Sequence, residues 1–231
     1  MLKRALLVSG LIALVAAAGA QASVIDFTKS ADWGALSGSS YTSPTSFGGV
    51  TVTISSLGGT LTFNPGESPA TSCGGVTGLA CNGDGIGIVD DEVTIGTLGT
   101  GEMLTVHFSS PVKINSIGFL DLFGAYSLSG DAAAERAMWR YAATAGSEDG
   151  FLLGTDVTSN PILGWALTGA LNAGWYTDIT FFATNPPASS NTDFSLAKID
   201  FSTAVPDSGM TLILLGGALI GLGVLRRKFG V

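Results

Sequence analysis

An all-β domain, an antiparallel β-sandwich of jelly-roll-like type, is the fold class this sequence predicts, and three observations predict it. Apolar and polar residues alternate with period two in short runs, the pattern of half-buried strands. Glycine is abundant, at 33 residues, and clusters of Gly, Ser, Thr and Asn punctuate those runs as turns. Charged residues make up only 12% of the chain, too few for the solvated faces of a helical bundle. Two apolar ends stand apart from this domain. Setting them aside leaves residues 23–204, long enough to bury a core of their own.

The N-terminal end comes first. Lys3 and Arg4 form a short positive region, Ala5 to Ala18 is apolar apart from Ser9 and Gly10, and Ala20-Gln21-Ala22 supplies small residues at alternate positions. These are the three parts of a secretory signal peptide, so residues 1–22 are expected to be removed by signal peptidase between Ala22 and Ser23. The apolar run is short for an anchor helix.

Strands follow. Ser23 to Thr28 opens the domain, and Val50-Thr51-Val52-Thr53-Ile54 alternates apolar residues with threonine. Leu104 to Phe108 points Leu104, Val106 and Phe108 inward and leaves His107 on the opposite face. A separate strand, Ile114 to Leu122, is expected after Pro111, then Thr177 to Phe182 and a last strand from Ala197 to Ser202. Ile25-Asp26-Phe27 and Ile199-Asp200-Phe201 echo one another, and pairing of these terminal strands would cover an edge. Residues 131–146 are Ala-rich and suit a helix by propensity, but Ala137, Trp139 and Tyr141 alternate with Arg136, Met138 and Arg140. The alternation predicts a strand.

Cys73 and Cys81 lie eight positions apart in a Gly-rich loop, and an exported chain with two cysteines predicts a disulfide between them. The next segment, Asn82 to Glu92, is read as a loop with four carboxylates: Asp84, Asp90, Asp91 and Glu92. Clustered carboxylates with carbonyls at Gly turns are the oxygen donors that calcium takes, which makes these four candidate ligands. The spacing is not that of an EF-hand, and a solvated turn is the alternative reading.

Chemistry elsewhere is sparse. His107 is the sole histidine, and the chain has no G-x-S-x-G, HExxH or P-loop, so no catalytic residue is assigned. From Ser23 to Gly209 five basic residues stand against 18 acidic ones, a net charge of −13. Such a domain repels phosphate backbones, which excludes nucleic acid as an expected partner. Trp33, Trp139, Trp165 and Trp175 would serve glycan binding where their rings are accessible and the core where they are not.

The C-terminal end reads Val205-Pro206-Asp207-Ser208-Gly209, an apolar run from Met210 to Leu225, and the cations Arg226, Arg227 and Lys228. The run lacks a polar face and spans about 24 Å as a helix, close to the ~30 Å of a bilayer core. It is expected to cross the membrane once, with the cations held on the cytoplasmic side. A short Pro-containing motif, one apolar helix and a terminal basic cluster resemble the PEP-CTERM class of sorting signals, and Val205 to Gly209 is similar to its VPDSG variant. The resemblance covers residues 205–231. It implies recognition at Val205, Pro206, Asp207, Ser208 and Gly209 by an exosortase, a membrane-embedded cysteine transpeptidase-like enzyme, with cleavage at or near the motif. An inner-membrane-anchored precursor then becomes a cell-surface or extracellular-matrix protein, in hosts that often make exopolysaccharide. For the domain itself a structural or interaction role ranks first, calcium-supported carbohydrate binding second and a glycan-acting enzyme third.

Overall fold

The computed structural model describes residues 21–64, 73, 76–89, 92–94, 101–124, 133–143, 146–154, 164–171, 174–183 and 192–204, with helical tail positions 216–217, 219–221, 223 and 226–228. The chain divides into two compact units, residues 22–203 and a second that joins residues 1–21 with 204–231. Among the described residues, no helix is long and apolar enough to cross a membrane. The spanning helix expected over Met210–Leu225 is therefore not seen as such, because much of that run lies outside the described residues.

The described part of residues 22–203 is mostly strand. The order is β1 (Gln21–Asp26), the one-turn helix α1 (Ser30–Trp33), β2 (Ser40–Phe47), β3 (Val50–Leu57), β4 (Leu61–Asn64), β5 (Gly85–Ile88), β6 (Met103–Leu120), β7 (Arg136–Ala143), β8 (Gly146–Leu153), β9 (Ala166–Leu167), β10 (Trp175–Ala183) and β11 (Ser195–Thr203). One ladder runs β4-β5-β11-β6-β10-β7-β8, with β2 and β3 joined to it through β6, β9 on β6 and β1 on β11. Every ladder from β2 to β11 whose register is defined is antiparallel. The all-β expectation holds, and the first and last strands of the domain pair as the two Ile-Asp-Phe triplets suggested.

The long strand β6 organises the domain. Its first half pairs with β3 from Met103 to Phe108, and its second half pairs with β11 from Val112 to Leu120, while β10 touches both. This corrects the expectation of two strands separated at Pro111. The strand continues because residues 109–111 fall in the gap where the neighbours change, so no ladder bond requires the missing proline N–H. A bulge at Asn115 then resets the faces: Phe201 sits opposite Ile114 and Asp200 opposite Ser116. Leu104, Val106, Phe108, Val112 and Ile114 point inward before it, Ile117 and Phe119 after it. Asn115 is held by donating from Nδ2 to Ser202 Oγ and by accepting the Leu171 N–H at its carbonyl.

The core draws on both ends of β6. Phe108 packs on Phe201, and Phe119 meets Trp139, Phe181 and Phe194 with ring centroids 5.2 to 6.2 Å apart. Trp33 stacks on Phe47 and tilts against Phe27, and its Nε1 donates to the Asp26 carbonyl. A second bulge at Ala197 turns that residue to the other face, where Ala197, Leu120 and Cys73 are buried with Val76, Leu79, Cys81 and Trp165 packed against them.

Residues 136–143 form the strand β7, as their alternation indicated: Ala137, Trp139 and Tyr141 are buried. The acidic loop expected from Asn82 to Glu92 is corrected. Its middle is the strand β5, buried at all four positions between β4 and β11. Glycine allows that close packing, since a Cβ on Gly85, at φ +116°, would lie 2.6 Å from the Leu196 carbonyl oxygen.

Candidate functional site

Candidate groups fall in three places, and the first is the junction between β1 and the disulfide loop. Cys73 and Cys81 are bonded, with Cα atoms 5.5 Å apart. Asp26, at the end of β1, accepts the Thr28 N–H and hydroxyl at Oδ1, and the Ala80 N–H at Oδ2 at 2.6 Å. Thr28 in turn takes the Cys81 N–H at Oγ1 and the Asn82 N–H at its carbonyl. The carboxylate and the hydroxyl thus satisfy backbone donors of a short covalent loop whose described residues form no strand. Nearby, the buried Asp32 accepts from Thr45 Oγ1 and pairs with Lys29 Nζ at 3.0 Å. Sequence reading assigned no role to Asp26 or Asp32; their place beside an Asx-type turn at Thr28 was the available signal.

Of the four carboxylates proposed for calcium, the two described ones lie on either side of β5. Asp84 is buried before β5, and Glu92 lies beyond its other end, where its carbonyl accepts the Ile88 N–H. The intervening strand interposes roughly 13 Å of extended chain. Asp90 and Asp91 lie outside the described residues. Among the described residues no three His, Cys, Asp or Glu side chains form a group that could hold a metal.

The third place is the exposed face of the sheet formed by β2, β3, the first half of β6, β10, β7 and β8. His107 lies there, half-exposed as its alternation indicated, with Nδ1 2.8 Å from Asp178 Oδ1 across the ladder. Asp178 Oδ2 also accepts the Thr177 hydroxyl. Opposite His107 on β3 stands Thr53, whose hydroxyl bonds with Thr42. The next row holds Ser55, Thr105, Thr180 and Arg140, with Thr105 and Thr180 hydroxyls 2.9 Å apart.

The row beyond is apolar from side to side. Leu57, Met103, Phe182, Met138 and Phe151 face one another in register across five strands, about 19 Å at the usual strand spacing. Leu57 and Phe151, at its two ends, are 60% and 58% exposed. Arg140 lies over the Phe182 ring and Arg136 over Phe151, 5.5 and 5.2 Å from the centroids. These are the domain's only arginines. The row holds Met and Phe with Arg beside them and no Lys or Glu, residue types enriched at protein interfaces relative to the rest of a protein's surface. Sequence reading missed this row, though Phe181-Phe182 breaks alternation and was the signal for it.

The tryptophans divide. Trp33 and Trp139 are buried in the core, Trp165 is half-buried against Gly118, and Trp175 is exposed. At the signal-cleavage position, Ala22 is exposed and Ser23 half-buried in β1, while Ile25 is the first buried residue. Val205 to Gly209 lie outside the described residues; Arg226, Arg227 and Lys228 are helical and exposed.

Comparison with known families places the tail. Residues 204–229 match the VPDSG-CTERM motif, the sorting signal that the pentapeptide, apolar run and basic cluster resemble. No curated protein matches the chain.

Proposed function

With the VPDSG-CTERM tail as the premise, we propose that this is an exported protein, processed by an exosortase and displayed at the cell surface or in the surrounding matrix, whose β domain has a structural or interaction role. The tail match over residues 204–229 carries the reading. Signal peptidase cuts between Ala22 and Ser23, which removes two exposed residues of β1 and spares Ile25 in the core. Met210 to Leu225 spans the inner membrane in the precursor, with Arg226, Arg227 and Lys228 on the cytoplasmic side. Exosortase then acts at Val205 to Gly209, the pentapeptide of the matched tail. The two ladders that meet on β6 form the layers of a sandwich, a reading supported by the contacts of Phe119 with Phe181 and Trp139. Intact-mass analysis of the mature protein is expected to show loss of residues 1–22 and of everything beyond about Gly209. Retention of Arg226 to Val231 in a host carrying the enzyme would leave a plain membrane anchor.

A second reading, a calcium-supported carbohydrate-binding module for exopolysaccharide, is favoured by Trp175 alone, whose 48% exposed side chain offers a stacking face. A glycan array probed with and without chelator separates the two. Calcium-dependent binding lost in Trp175→Ala supports the module; no binding, or binding indifferent to Trp175, sinks it.

A further inference from the structure

The bond assigned to signal peptidase does not lie ahead of the domain; it lies inside its first strand. β1 runs Gln21–Asp26, so Ala22 and Ser23, on either side of that bond, are both strand residues. Among the described residues β1 pairs with β11 and with no other strand. The contact carries on past the end of β1, where the Phe27 N–H donates to the Ala197 carbonyl. Ile25 and Phe27 are fully buried, and Phe27 packs on the buried Trp33. Ser23 is held from a second side as well. A Cβ on Gly48, in the turn between β2 and β3, would collide with Ser23 Oγ and lie 3.7 Å from Thr203 Cγ2. Ser23 and the last residue of β11 thus meet at that turn.

We infer that folding separates the two processing steps: signal peptidase acts before β11 docks on β1, and that pairing then closes the Ala22–Ser23 bond to hydrolysis. A protease acts on backbone that has opened locally, so its rate on a folded chain follows the population of the open form. Lifting the few residues on each side of the bond away from β11 takes Ile25 out of the core and loosens Phe27 behind it. Chain order supplies the window. β1 is the first strand of the domain to be exported and β11 the last, so β1 has no ladder partner until the rest of the domain has crossed. Hydrolysis in that window leaves a carboxylate on Ala22 and the α-amine of the mature chain on Ser23. The second cut differs in kind. β11 ends at Thr203, two positions before Val205, so the sorting motif begins beyond the strand and closure of the sheet does not take it up. Exosortase can therefore act on a closed domain, whereas signal peptidase needs an open one. The inference rests on the exported-protein reading proposed above and gives its two cuts an order.

The test uses the full-length precursor, purified uncut from cells in which signal peptidase is inhibited, with Cys73–Cys81 oxidised and the chain held in detergent. Signal peptidase is added either at the moment of dilution from denaturant or after refolding is complete, and intact mass follows the loss of residues 1–22. Cutting is expected to be prompt in the first case and roughly ten- to hundredfold slower in the second, the effect of having to expose buried apolar side chains first. Phe201→Asp places a charge at a fully buried position of β11 and is expected to keep the fast rate at both times. Equal rates for the wild-type chain at the two times overturn the inference, and so does a Phe201→Asp chain protected as well as the wild type. Cutting at a bond other than Ala22–Ser23 at both times removes the cleavage site of the exported-protein reading, and the inference with it. The mass of the product tells that failure from the other two.

Discussion

Asp26 uses both carboxylate oxygens. Oδ1 closes a turn on Thr28, and Oδ2 reaches the Ala80 N–H in the disulfide loop, 54 positions along the chain. Asp26→Ala leaves the Ala80 and Thr28 N–H groups without their acceptor, a loss of about 1–3 kcal/mol for hydrogen bonds to a charged group. Opening the disulfide by Cys73→Ser with Cys81→Ser removes a loop constraint of about 2–3 kcal/mol in the chain-entropy account. Both changes release the same loop from β1, so their costs are not expected to add. Denaturant unfolding of the two variants and their combination checks this. The expected result is a combined loss clearly smaller than the sum. Additive losses would mean that Asp26 stabilises β1 on its own, independent of the loop it touches.

At the scale of elements, alternation was readable wherever one face is buried and the other wet. Residues 50–57 and 175–183 show it, and so does β7, where Trp139 and Tyr141 prevailed over the helix propensity of the alanines around them. Legibility failed where that contrast vanishes. β5 is buried on both faces, so Gly85-Ile86-Gly87-Ile88 has no polar alternate, and its flanking acids gave it the look of a loop. β8 was not assigned for the opposite reason: Ser147, Glu148, Asp149 and Gly150 carry no apolar residue to mark a buried face, although β7 pairs with them along the whole strand. In β6 the proline at 111 looked like a boundary, because nothing local shows that its two neighbours hand over at that point. The candidate site divides along the same line. The disulfide and His107 depend on residue type and were legible, whereas the apolar row exists only through register among five strands.

For the whole molecule, the strongest physical statement concerns charge. The stretch from Ser23 to Gly209 carries −13, while Arg226, Arg227 and Lys228 follow the apolar run. Cations next to a span resist translocation far more than acidic residues do, so on the proposed reading of the tail as a membrane span these three would set its direction. On the same reading they would also act as a stop, because a run near 24 Å is short for the hydrocarbon core and would depend on flanking charges reaching the interface. Replacing all three with glutamine removes both effects while leaving Val205 to Gly209 and the apolar run intact. The tail of the variant is then expected to slip outward, so that the sorting motif no longer rests at the membrane surface where a membrane-embedded enzyme can act on it. Fractionation with intact-mass measurement reads the outcome. The expected result is a chain cut after Ala22 that retains residue 231 and is recovered in the soluble exported fraction. Normal processing near Gly209 in that variant would show that the pentapeptide and apolar run suffice to hold the precursor, and that the cations play no part in sorting.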